Sequence, residues 1–240
     1  MRVFDRIAPF YDGMMQDIDY DGWIDYLVEV MKKKGFKGRK ILDLACGTGN
    51  SSIPLKKYGY DVVGIDISLS MLREAGKKGV SLVYGDARVL PFKDSSFDGV
   101  ISIFDSLNYI MDDGELLQVF RSVRRVLKEG GIFLFDMNTP FGLRMIALQG
   151  DEIREGEDFF SVWRHSYDEE TKEITLHLVV FERNGRGWIR YDEVHREKGR
   201  TKAEVFELLE HAGFSSLSAY VNFTFRRPDG RTKRILYVAS

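Results

Sequence analysis

The stretch Ile41-Leu42-Asp43-Leu44-Ala45-Cys46-Gly47-Thr48-Gly49-Asn50 constrains this chain more than any other. Ile41, Leu42 and Leu44 have the apolar density of a buried strand. At Gly47 and Gly49 a backbone without Cβ atoms can turn sharply and let a ligand come close. Ser51 to Tyr58 then reads as a helix that starts at once. A strand, a glycine turn and a helix N-terminus in succession make a seat for a polar ligand, because the first amides of a helix have no partner inside it.

From Arg39 to Asn138 the alternation repeats. Strands are expected near 40–45, 61–66, 80–85, 97–103 and 131–137, with helices near 50–58, 69–77 and 112–129. Asp112 with Glu115 opens the last helix as a cap-like pair, and Gly130 stops it. Ile132-Phe133-Leu134-Phe135 is apolar on both faces, as a parallel strand must be. Right-handed crossovers then give an α/β, doubly wound sheet whose crevice lies at the carboxyl ends of the strands.

Residues 1–36 read as a helical lid. Trp23, Ile24, Leu27, Val28 and Met31 share one helical face, with Asp19 or Asp21 as cap and Gly35 as stop. The segment from Ala8 to Met15 ahead of them is aromatic and irregular. From about 157 to 197 the period changes to two. Ile174, Leu176, Leu178 and Val180 alternate with Thr175, His177 and Val179, Asn184-Gly185 is a hairpin turn, and Trp188 to His195 forms a partner strand. Phe159 to Tyr167 makes a third. An antiparallel sheet is therefore inserted at 140–197 into an α/β domain made of 37–139 and 198–240. Thr201-Lys202-Ala203-Glu204 is a capping box for a helix ending at Gly213. In a closing hairpin Leu217, Ala219, Val221, Phe223 and Phe225 alternate, Pro228-Asp229-Gly230 turns, and Ile235 to Val238 returns.

Composition narrows the partners. A formal net charge of −2 gives no basic footprint for nucleic acid or an anionic membrane. Cys46 is the only cysteine, which excludes an intrachain disulfide and a cysteine-based zinc cluster; no metal is expected. No leader-like apolar segment or membrane span is visible, so the expected location is cytoplasmic.

Asp66, Asp86 and Asp105 each stand just past a strand end, on the edge that carries the glycine turn. Singly each is an ordinary turn former. Together they suit an adenosine-bearing ligand, with the second-strand carboxylate accepting from ribose hydroxyls and the third-strand one from an adenine amine. A dinucleotide fingerprint needs a third glycine where Ser52 stands. A phosphate-binding loop needs Lys followed by Ser or Thr. No basic residue lies in the turn.

Leu42-Asp43-Leu44-Ala45-Cys46-Gly47-Thr48-Gly49 resembles motif I of the class I S-adenosylmethionine-dependent methyltransferases. Val63-Gly64-Ile65-Asp66-Ile67-Ser68, with Met71-Leu72, resembles their second motif, and Gly85-Asp86-Ala87 their adenine-contact motif. Phe97-Asp98 and Leu127-Lys128-Glu129-Gly130-Gly131 match as well. The resemblance implies a Rossmann-like seven-stranded sheet of order 3-2-1-4-5-7-6 with strand 7 antiparallel, and S-adenosyl-L-methionine as cofactor. It further implies that Ala45, Gly47 and Gly49 hold or shape the amino-acid end, Asp66 the ribose, and Ile67, Met71, Asp86 and Ala87 the adenine side. Phe104 lies near the methionine moiety. Tyr11-Asp12 and Trp23 resemble the lid of glycine and amino-sugar N-methyltransferases, where a Tyr and a Trp cover the sulfonium.

A sulfonium is already a strong electrophile, so alignment and water exclusion carry most of the chemistry. Proton acceptors for an amine nucleophile are sought among Tyr109, Asp105, Tyr11, His165 and His195. The expected activity is methyl transfer to a small-molecule N- or O-nucleophile. An RNA or protein methyltransferase and a non-catalytic cofactor-binding regulator are the alternatives. No Asn-Pro-Pro-Tyr-like tetrad follows the fourth strand, where Asp105-Ser106-Leu107-Asn108 stands instead. The inserted sheet has an edge that could pair across a homodimer.

Overall fold

The computed structural model describes residues 4–240, so the first three residues of the expected lid lie outside the described residues. Helices α1 (Ala8–Met14) and α2 (Tyr20–Lys33) lead into β1 (Lys40–Leu44), α3 (Ser52–Lys57), β2 (Asp61–Asp66), α4 (Leu69–Lys77), β3 (Ser81–Tyr84) and β4 (Phe97–Ser102). A 3₁₀ turn at Ser106–Tyr109 precedes α5 (Asp113–Val126), β5 (Leu127–Asn138) and α6 (Pro140–Ala147). Then come β6 (Glu152–Glu155), β7 (Phe159–Asp168), β8 (Glu173–Asn184) and β9 (Gly187–Lys198). The chain closes with α7 (Lys202–His211), β10 (Leu217–Val221) and β11 (Arg234–Ala239).

The main sheet runs β3-β2-β1-β4-β5-β11-β10. β11 is antiparallel to β5, and the inner pairs are parallel. This is the strand order expected, and it is doubly wound. Ile41, Ile101, Leu134 and Leu236 point to the layer that holds α2 and α3. Their neighbours Leu42, Val100, Phe133 and Tyr237 point to the layer that holds α5 and α7. Both faces are buried, which is why these strands read as unbroken apolar runs. Side-chain caps start the helices: Asp19 accepts from Gly22 N–H, Ser68 from Met71 N–H and Asp112 from Glu115 N–H. Both hydrogen bonds of the Thr201–Glu204 capping box form.

A separate four-stranded antiparallel sheet, β6-β7-β8-β9, projects between α6 and α7. Its inner residues Phe159, Trp163, Leu176, Leu178 and Val180 pack against Ile7, Met14 and Met15 of the N-terminal segment. The inserted sheet and the lid thus share one small core. Among the described residues no helix is long and apolar enough to cross a membrane.

Four local expectations are corrected. Ala8 to Met14 is helical rather than irregular, with Pro9 in the first turn where its missing N–H costs nothing. The helix expected to reach 129 ends at Val126; Leu127 is extended and pairs with Phe97, and Gly130 turns at φ +70°. The strand expected to reach Phe225 ends at Val221, because Phe223 (φ +61°) turns back onto Trp23, with ring centroids 4.8 Å apart. In the insertion, α6 and the edge strand β6 were not expected, although Thr139-Pro140 is a cap followed by an N1 proline and Thr139 accepts from Gly142 N–H.

Gly64 fixes how β2 passes the glycine turn. A Cβ built there would lie 2.7 Å from Cys46 Sγ. Gly64→Ala is therefore expected to destabilise the fold by about 1–3 kcal/mol through overpacking. A thermal melt unchanged from wild type would contradict this contact.

Candidate active site

The glycine turn leaves β1 through three left-handed residues, Ala45 (φ +57°), Gly47 (φ +54°) and Gly49 (φ +80°). An alanine in that region is strained by roughly 1–2 kcal/mol, and such strain collects where a ligand is gripped. A Cβ on Gly47 would meet no atom within 4 Å, so open space lies above it. Gly49 has another role. A Cβ there would lie 3.1 Å from Val80 and 3.3 Å from Ala75, so it lets α4 approach the turn. Gly49 is not among the cavity-lining residues, whereas Ala45, Gly47, Thr48, Asn50 and Ser51 are.

Asp66 closes the turn from the side. One carboxylate oxygen accepts from Gly47 N–H at 2.9 Å and the other from Ser68 N–H at 2.8 Å. Burial raises its pKa, while the Ser68, Gly47 and Ile67 amides pull it back. Each oxygen has a second lone pair, so a diol can still be bound. Under the turn, buried Asp43 accepts from Ser51 and Ser52 hydroxyls at 2.6 and 2.5 Å. Burial pushes its pKa to about 6 against those two hydrogen bonds. Met71, Ile67 and Ala87 line the rim further along. Asp86 lines it too, but Arg88 donates to both its oxygens through Nε and to one through Nη2 at 2.6 Å, and Arg88 N–H adds a further bond. An adenine amine would have to share Asp86 with that guanidinium.

Phe104 and Asp105 extend the rim past β4 in left-handed conformation, φ +62° and +51°. Buried Asp136 of β5 holds them, accepting from Phe104 N–H at 2.7 Å and Asp105 N–H at 3.0 Å. Arg234 of β11 completes the cluster with hydrogen bonds to Asp136 at 3.1 Å and Asp105 at 2.9 Å, and Asn138 also donates to Asp105. Asp136, Asn138 and Arg234 were not foreseen. The available signal was an acid ending an otherwise apolar strand.

The lid is fastened at three points. Thr48 Oγ1 and Asn50 Nδ2 donate to Asp12 at 2.6 and 3.0 Å, and Lys78 pairs with the same carboxylate at 2.5 Å. Ser68 Oγ donates to Asp5 at 2.8 Å. Glu193 of β9 accepts from Phe4 N–H at 2.8 Å and Arg6 N–H at 3.2 Å. Asp12→Ala is expected to speed ligand release roughly fivefold, since the fastening bonds add about 1 kcal/mol in a partly exposed place; stopped-flow dissociation would measure it.

Beneath the lid lies a cavity of about 670 Å³. Tyr11 and Tyr20 roof it over Phe104. Trp23, expected in that roof, does not line it. Trp23 is buried behind Phe104, at 5.5 Å between centroids, with Arg234 stacked 5.4 Å from its ring. The inner wall comes from the inserted sheet: Trp163, His165, Ile174, Leu176, His195 and Glu197. Tyr109 stands between the two halves, its hydroxyl 3.3 Å from His195 Nδ1. Burial raises the Tyr109 and Tyr11 pKa values well above the ordinary phenol value, so neither is a ready base. A second cavity of about 410 Å³, between Lys34, Asp98 and Lys128, opens at the opposite edge of the sheet.

The comparisons agree with this geometry. A family described as methyltransferase domain matches residues 41–131, the segment with the glycine turn and the carboxylate rim. A putative methyltransferase of Bacillus subtilis, YqeM, is 31% identical over 99% of this chain and 96% of its own. The chain belongs to the class I S-adenosylmethionine-dependent methyltransferases. The crystal structure of a S-adenosylmethionine-dependent methyltransferase from Clostridium acetobutylicum superposes with a TM-score of 0.84 at 28% identity, covering 100% of this chain and 99% of that one. The sugar N-methyltransferase KedS8 from Streptoalloteichus shares the fold, with TM-score 0.78 at 20% identity over 99% and 92% of the two chains.

The residues fit the family's cofactor. The open face of Gly47 and the carboxylate of Asp66 suit the amino-acid end and the ribose. The aromatic faces of Tyr11, Tyr20 and Phe104 suit a sulfonium cation.

Proposed function

We propose that this methyltransferase acts on a small-molecule acceptor carrying a nitrogen or oxygen nucleophile. One observation carries the reading. The cavity that begins at Gly47 and Asp66 continues, under the fastened lid, into a chamber walled by the inserted sheet. Its volume lies in the usual range for small-ligand sites, roughly 300–1,000 Å³. A polymer would need an open groove where the lid and the sheet stand.

When bound, the cofactor supplies an electrophilic methyl group. The chain's own residues do the rest. Asp66 and the glycine turn orient the donor. Tyr11, Tyr20 and Phe104 surround the reacting end and exclude water, so that nucleophile, carbon and sulfur can be held in line. Trp163, Ile174 and Leu176 offer an apolar seat to the acceptor.

The test is incubation of the pure protein with methyl-labelled cofactor and a fractionated metabolite pool. Label in a low-molecular-weight product supports the reading. Label only in added RNA or protein, or cofactor bound without turnover, would overturn it.

A further inference from the structure

The acceptor chamber holds a carboxylate with one oxygen left unpaired, while Asn138 and Tyr109 act on the group. β9 presents Tyr191, Glu193, His195 and Glu197 on one face, because strand side chains alternate. Glu193 is spent on the Phe4 and Arg6 amides. His195 is buried, with Tyr109 at Nδ1; its Nε2 lies 3.1 Å from Glu193, off the direction a good hydrogen bond needs. Glu197 faces the cavity, and its Oε2 is sealed from solvent with no hydrogen-bond partner. Buried polar atoms are nearly always paired, so such an orphan calls for a ligand.

The charges around Glu197 say which ligand. Arg234 is the cation facing it, and Arg234 already serves Asp105 and Asp136. Lys198 and Arg200, next along the chain, both pair with Asp113 outside the chamber. Arg234 is thus one cation among three carboxylates, and this wall of the cavity carries carboxylate in excess.

We propose that Glu197 binds the ammonium group of an amine acceptor and takes its proton before methyl transfer, with Tyr109 and His195 as positioning residues. This rests on the small-molecule reading above and names the class of acceptor. The step balances. R–NH₃⁺ and the Glu197 carboxylate give R–NH₂ and the carboxylic acid. The nitrogen lone pair forms the N–C bond while the C–S pair leaves with sulfur. The products are R–NH₂–CH₃⁺ and neutral S-adenosylhomocysteine, and the acid then returns its proton to water. Burial pushes the Glu197 pKa well up, Asp105 adds to this, and Arg234, Asn138 and Tyr109 pull it partly back. A cation arriving beside a carboxyl raised in this way favours its ionised form.

Matched probes test the proposal: benzylamine and benzyl alcohol, titrated calorimetrically into protein saturated with S-adenosylhomocysteine. The wild type is expected to bind the amine at least tenfold tighter than the alcohol. Lowering the pH should erase the preference as Glu197 holds its proton. E197Q should reduce it to threefold or less and E197D should keep part of it, with S-adenosylhomocysteine affinity unchanged in both. Equal binding of the two probes by wild type overturns the proposal without any variant, so a misfolded E197Q cannot shelter it. Retention of the full preference by a folded E197Q overturns it too. Failure of wild type to bind S-adenosylhomocysteine would strike the underlying reading instead.

Discussion

Asp66→Ala is expected to weaken S-adenosylhomocysteine binding by roughly 150-fold or more. The figure follows from two hydrogen bonds between ribose hydroxyls and a carboxylate, each contributing about 1.5–3 kcal/mol. A second loss adds to it. Asp66 accepts from Gly47 N–H and Ser68 N–H, so it also ties the glycine turn to the end of β2. Without it the open face of Gly47 is no longer held in register with the rim. Asp66→Asn keeps one acceptor oxygen and should lose less, by about one hydrogen bond. Affinity should also fall as pH is lowered, because burial has already raised the Asp66 pKa and only the ionised form accepts from both hydroxyls without giving up an oxygen to its own proton. Calorimetry on folded Asp66→Ala protein is the measurement. Unchanged affinity would remove the rim from the cofactor site.

Sequence pattern made the sheet legible because each strand had to satisfy two faces at once. Ile41 and Leu42, or Phe133 and Leu134, are adjacent yet serve opposite layers, and no other arrangement uses such runs so fully. Contacts between distant segments were less visible. Tyr20 and Trp23 sit three apart on α2, one turn of the same face, so periodicity could not say which reaches the cavity. Tertiary packing decides it, through Phe223 turning back to cover Trp23. Asp86 was legible as a rim acid, but not its clamp by Arg88 and the further ion pair of that guanidinium with Glu115. The sequence offers His195 as a candidate base, whereas nothing in it marks Glu197, two residues on along the same face. Strand alternation puts it in the same row, but only the folded sheet shows that the row enters the chamber.

Asp136→Ala is expected to destabilise the protein by about 3–5 kcal/mol, the usual consequence of removing one partner from a buried ion pair. Two left-handed residues, Phe104 and Asp105, lose the acceptor of their amides, and Arg234 keeps Asp105 as its charged partner and Asn138 Oδ1 as a neutral acceptor. At this chain length the melting temperature should drop by roughly 6–20 °C. Arg234→Met probes the same cluster from the other side and adds a pH signature. Burial raises the Asp136 pKa to about 6 even with Arg234 pulling it down, so without that cation it must rise further. A carboxyl whose folded pKa exceeds its unfolded value, about 3.9, favours the fold most while protonated. Its contribution is complete below the unfolded pKa and is lost as pH rises through the folded one. Arg234→Met should therefore melt closest to wild type near pH 5 and fall progressively behind towards pH 8. A gap independent of pH would mean that Arg234 stabilises by stacking on Phe104 and Trp23, 5.3 and 5.4 Å away, rather than by charge. The two outcomes assign the rim different physics: an electrostatic clamp that sets the Phe104–Asp105 turn, or an aromatic stack that would hold Phe104 equally well with an uncharged side chain in its place.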